Sequence, residues 1–123
     1  MQATLLYVGA GAIFLWGVGH LVPTRNIVSG FGALSPDNRR IITMEWIVEG
    51  IALISTASFV AVAAAIQPEA PVSSAVYAVA ISTLILLSVV SLFTGFKVAL
   101  LPFRLCPLIF GFSAVLIAWG AWL

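Results

Sequence analysis

Residues Ile41–Ile66, IITMEWIVEGIALISTASFVAVAAAI, form an apolar run interrupted by only two charges, Glu45 and Glu49. As a helix rising about 1.5 Å per residue it would be about 39 Å long, more than the roughly 30 Å of a bilayer's hydrocarbon core. Three further stretches match it in character: Thr4–Val22, Val72–Phe96 and Leu105–Leu123. With 63% hydrophobic and 7% charged residues and a mean hydropathy of +1.22, the chain has too little polar surface to cover a soluble core. Unbroken apolar runs lack the alternation of barrel strands, and only helices or closed barrels satisfy their own backbone in lipid. The sequence therefore predicts an all-α transmembrane four-helix bundle, a single integral membrane domain over residues 1–123 with spans at about 4–22, 41–66, 72–96 and 105–123.

The first run resembles a secretory signal in length, but Met1-Gln2-Ala3-Thr4 has no basic residue and no convincing cleavage site follows. A retained span is expected. Cys106 is the only cysteine, so an internal disulfide is excluded, and no metal-ligand spacing surrounds it. The net charge of +1, with basic residues spread over helix ends instead of forming a stripe, argues against a nucleic-acid partner.

All the basic residues fall in two connections: Arg25, Arg39 and Arg40 between the first two spans, and Lys97 and Arg104 between the last two. In an up-and-down bundle these share one face, which the positive-inside rule assigns to the cytoplasm, with both termini outward. A bacterial or archaeal inner membrane is the expected location. Trp119 and Trp122 would then lie in the outer aromatic belt. The segment Pro23–Asn38 is too polar to span, yet Ile27, Val28, Phe31 and Leu34 are too apolar for free solution, so an interfacial loop or short helix is expected. Ser35 followed by Pro36 and Asp37 has the chemistry of a helix start: an N-cap, a proline in the first turn and an anion near the dipole's positive end. Gly9, Gly11, Gly17 and Gly19 of the first span are expected at close helix contacts, and such a glycine-rich surface also suits a homo-oligomer.

The placement of Glu45 and Glu49 carries the functional signal. On a helical wheel Asn38, Glu45, Glu49 and Thr56 fall within about 60° of arc. Ionisable groups within a span are costly against lipid, so both glutamates are expected to turn toward the other helices. Like charges one turn apart disfavour joint ionisation, so they should share a proton or be bracketed by cations. The cations available at that face are His20, Arg25, Arg39, Arg40, Lys97 and Arg104. The candidate ligand or proton site is therefore His20, Glu45, Glu49 and Asn38, with the five basic residues in support; a plain ion-pair network that fixes helix register is the alternative.

Gly17-x-x-His20, Pro23, Pro36 and Glu49-Gly50 with Leu53 together resemble the pattern of DoxX-like small membrane proteins, although Leu21 stands where a Phe usually follows the His. The resemblance covers the first half of the chain by motif and the rest by helix number. It implies a four-helix bundle with His20 and Glu49 as the shared polar pair and, because some members resemble accessory subunits of membrane oxidoreductases, a role of that kind.

Three functions are open at this level. The first is a non-catalytic membrane protein whose buried polar pocket binds a hydrophobic small molecule or docks a membrane partner subunit. The second is a small proton-coupled transporter, although small multidrug exporters carry their essential Glu in the first helix and none stands there in this chain. The third is a membrane-embedded acid–base enzyme with one glutamate protonated and the other ionised. No nucleophile–base pair, zinc-ligand set or phosphate loop supports the third, and no cofactor is implied.

Overall fold

A computed structural model describes residues 1–123. Four long helices, α1 (Ala3–Leu21), α3 (Pro36–Ile66), α4 (Pro71–Phe93) and α5 (Leu101–Trp122), form the bundle. Between α1 and α3 lies the short α2 (Thr24–Ser29), and a single 3-10 turn (Gly95–Lys97) joins α4 to α5. All four long helices are long and apolar enough to cross a membrane, and there is no strand. The protein is a small all-α integral membrane protein whose outer surface, with Leu15, Phe59, Val79, Leu86, Leu108 and Val115 exposed, suits contact with lipid.

The helix ends follow their local chemistry. Ser35 caps α3, its Oγ accepting the Asn38 backbone N–H at 3.2 Å, with Pro36 and Asp37 in the first turn. The expected interfacial segment is the short helix α2. Its Val28 is buried while Arg25, Asn26 and Ser29 are exposed, and the turn that follows needs Gly32 at φ +77°, a backbone state that costs glycine nothing. One boundary differs from the sequence reading. The last span begins at Leu101 instead of Leu105, because Pro102 stands in the first turn, where its missing N–H forfeits no intrahelical bond. This leaves Pro107 inside α5. The α-helix of the third span ends at Phe93, and the span continues through the 3-10 turn to Lys97.

Around the bundle α3 packs on α1, α1 on α5, and α5 on α4, while α3 and α4 touch each other least. Small residues set the first two seams. A methyl group on Gly17 would lie 3.0 Å from the Gly50 carbonyl oxygen and 3.1 Å from the Ile54 nitrogen. On Gly120 it would lie 2.9 Å from the Leu6 nitrogen, and on Gly9 2.8 Å from Ile117 Cγ1. The backbones approach closely enough there for dispersion contacts to hold the helices, since lipid is as apolar as the helix surfaces and offers no hydrophobic drive. Gly11 and Gly19 face open space, so the packing role expected of the glycines of α1 belongs only to Gly9 and Gly17.

The core is displaced toward the end that carries the termini. Leu6, Ile13, Leu53, Val60, Tyr77, Leu84, Phe110 and Ile117 fill it. Along α3 burial begins only at Gly50, and along α4 it ends at Leu84. Beyond those levels α3 and α4, which are tied together by the short Gln67–Ala70 turn at the opposite end, leave a space between them at the basic end.

Candidate functional site

His20 lies in the last turn of α1, where the carbonyls have no helical partner. Two of them find donors outside the helix. Thr24 Oγ1 donates to the Leu21 carbonyl at 2.6 Å, and the Trp46 indole N–H crosses from α3 to the His20 carbonyl at 2.7 Å. The same indole carries the imidazole: the two rings stack at 3.8 Å between centroids and 14° between planes. Trp46 therefore fixes both the backbone and the side chain of His20.

Glu49 follows Trp46 by three residues, on the same side of α3. Its Oε2 lies 3.5 Å from His20 Nε2. The His20 side chain is 10% exposed and the Glu49 side chain 45%, so the imidazole is embedded while the carboxylate is open. His20 Nε2 has no hydrogen-bond partner, and the carboxylate is the acceptor it faces. The structure places His20 beside Glu49 and not beside Glu45, one turn away, because α1 and α3 cross at Gly17 and Gly50.

The pair opens on a cavity of ≈ 670 Å³ between α1, α3, α4 and α5. Its walls are Trp16, Trp46, Leu87, Val90, Phe103 and Cys106, with Pro23 and Ile27 contributed by the α1–α2 connection. Gly19 and Gly95 line it too, and a methyl group on Gly19 would meet nothing within 4 Å. Ser88 donates to the Pro107 carbonyl at 2.7 Å, joining α4 to α5 behind the cavity. On the other side of Trp46 lies a shallow hollow of ≈ 320 Å³, lined by Ile42, Glu45, Trp46, Val48 and Glu49.

Of the residues expected at the site, the structure unites His20 and Glu49 and separates the others. Glu45 is exposed and lines only the shallow hollow. Asn38 is exposed in the first turn of α3, about 16 Å along the axis from Glu49. The expected bracket of cations is absent, since none of the five basic residues pairs with either glutamate. Arg40 pairs instead with Asp37 at 3.3 Å, and Arg104 lies over the Phe96 ring at 5.5 Å. Arg25, Arg39 and Lys97 are exposed. The reason is helical register: Arg39 and Arg40 precede Glu45 by six and five residues, and only partners three or four apart meet on a helix face. Nor does the polar stripe face the centre of the bundle. The buried face of α3, Gly50, Leu53, Ala57, Val60 and Ala64, is centred about 80° round the helix from it, so the stripe occupies a flank. Thr56 returns its hydroxyl to its own helix, at the Ala52 carbonyl.

Trp46, Trp16 and Phe103 are the site residues that sequence reasoning missed. Trp46 had a signal, an indole set between two intramembrane glutamates. Trp16 stands among the glycines of α1, where a large side chain reads as packing, and Phe103 gave no sign. No three His, Cys, Asp or Glu side chains converge as metal ligands. Compared with known proteins, the chain matches no family model, and no curated protein or solved structure is similar to it. What the arrangement offers chemically is one open carboxylate, 3.5 Å from a buried imidazole, at the edge of an aromatic and aliphatic chamber.

Proposed function

We propose that this membrane protein binds a lipid-soluble small molecule in the cavity between α3 and α4, with Glu49, held by His20, meeting the ligand's polar group. The observation that carries the reading is the coincidence of the one intramembrane imidazole–carboxylate pair with the ≈ 670 Å³ chamber. Ligand sites are typically chambers of about 300–1,000 Å³ with apolar walls and a few convergent polar groups, as here. The packed core from Leu53 and Leu84 to the terminal end blocks a continuous path across the bundle, which supports binding over proton-coupled transport.

His20 and Glu49 are also the residues on which the DoxX-like resemblance rests. In that reading the protein is an accessory subunit beside a membrane oxidoreductase, in an inner membrane, with the basic end in the cytoplasm and both termini outside. The test is native mass spectrometry of the protein extracted from its membrane, with organic extraction of whatever is bound. Near-stoichiometric ligand on the parent and its loss from Glu49→Gln and His20→Ala variants is the expected result. A parent chain that carries nothing but bulk phospholipid, or variants that retain the same ligand, would overturn the reading.

A further inference from the structure

The cavity holds a carboxyl group with no lysine or arginine to meet it. Glu49 is its only acidic lining residue. Of the basic side chains nearest in sequence to its lining, Arg104 lies over the Phe96 ring, and Arg25 and Lys97 are exposed outside it. His20 faces the carboxylate at 3.5 Å without forming a hydrogen bond to it. A carboxylate in apolar surroundings is tolerated when a cation or donors meet it, and here Glu49 lines both the chamber and the adjoining hollow with His20 as its one basic neighbour.

The walls have a matching preference. Trp16, Trp46 and Phe103 surround the space, and Trp46 and Phe103 form a corner with ring centroids 5.7 Å apart and planes 58° apart. Aromatic faces attract cations and repel anions, tryptophan most strongly, and the attraction grows when water is excluded. Glu45, one turn toward the basic end in the adjoining hollow, places a second carboxyl group on the flank of α3 beside the first. The four features point one way.

We infer that the ligand is a lipophilic ammonium ion, a single-tailed amine whose charged nitrogen meets the Glu49 carboxylate within the Trp16, Trp46 and Phe103 walls while its tail lies along Leu87 and Val90. The inference rests on the binding role proposed for the same cavity and adds the ligand's charge. His20 acts as a positioning residue that sets the carboxylate's direction. The ammonium group of a phospholipid is disfavoured as the source, because its phosphate would follow within a few ångströms and no lysine or arginine lines the cavity to receive it.

The experiment compares four ligands with the same twelve-carbon tail on the protein in phosphatidylcholine nanodiscs: dodecylamine, dodecyltrimethylammonium, 1-dodecanol and dodecanoate. Binding is read by native mass spectrometry and by quenching of Trp16 and Trp46 in a Trp119→Phe, Trp122→Phe background. Both cations are expected to bind about 10- to 100-fold more tightly than the alcohol, the range of a charge-assisted contact, and dodecanoate more weakly than the alcohol. Glu49→Gln should bring the cations down to the level of the alcohol, with an unchanged helical circular dichroism spectrum and thermal midpoint reporting that the variant is folded. Equal affinity for alcohol and cations would overturn the charge assignment and leave the cavity's binding role standing. Absence of binding by all four would overturn both. Displacement of dodecylamine when phosphatidylethanolamine is added to the nanodiscs would assign the site to a lipid headgroup and overturn the free-amine source.

Discussion

The two ends of the bundle are built differently. At the terminal end the helices meet through glycine and alanine, the side chains between them are almost wholly buried, and the backbone of Gln2 donates to the Gly120 carbonyl at 2.9 Å. At the basic end α3 and α4 part, the packing stops at Gly50 and Leu84, and the space is lined by aromatic rings around one carboxylate. Cohesion and recognition are thus assigned to opposite halves of the same four helices. The closed half makes the open one possible, since a cavity held by splayed helices needs a rigid junction elsewhere.

The sharpest way to break this contrast is to truncate one residue in each half of α4. Leu84→Ala removes a fully buried side chain and should cost about 2–5 kcal/mol, whereas Leu87→Ala, on the cavity wall, should cost less than about 1 kcal/mol. Unfolding in mixed detergent micelles, followed by circular dichroism, measures both; equal losses would mean that the basic half is packed as tightly as the other.

A smaller effect comes from adding a methyl group. Gly17→Ala presses on backbone atoms of Gly50 and Ile54, which have nowhere to retreat, and should destabilise by about 1–3 kcal/mol in the same assay. Gly11→Ala meets nothing and should be neutral or stabilising by up to about 1 kcal/mol, the helix-propensity gain. If the two variants behaved alike, α1 would not be seated on α3 by close backbone approach.

Next in size is Trp46→Phe. It keeps an aromatic ring against His20 but deletes the N–H bond to the His20 carbonyl, at a cost of about 1 kcal/mol. Its effect on ligand affinity should exceed its effect on stability, because the ring positions the His20–Glu49 pair. The reverse order would make Trp46 a structural clasp only.

The smallest change is expected at the basic surface itself. Asp37 and Arg40 are both largely exposed, so Arg40→Gln or added salt should alter stability by no more than about 0.5 kcal/mol. A larger loss would show that the basic residues hold the open end together after all.

The contrast also separates what was legible in the residues from what was not. The four spans, the start of α3 at Ser35-Pro36-Asp37 and the short interfacial helix could be read directly, because in lipid each segment must satisfy its own backbone within itself and hydropathy and caps are local properties. That His20 and Glu49 lie toward the same end of the bundle could be read from the residues; that they meet, with Glu45 left aside, could not. That Arg39, Arg40, Lys97 and Arg104 would leave the carboxylates alone could not, for depth says nothing about azimuth and the count of available cations says nothing about reach.

Taken alone, then, the chain determined how many helices cross the bilayer, which connections carry the positive charge and that Glu45 and Glu49 needed an explanation. Only the tertiary structure decided that α3 and α4 separate below Leu84, that Trp46 clasps His20, and that Glu49 opens into a chamber while Glu45 stays outside it. The physical reason is that crossing a membrane is decided by each segment's own composition, whereas a site is decided by the rotation of one helix against the next, which here is set by the contact of Gly17 with Gly50.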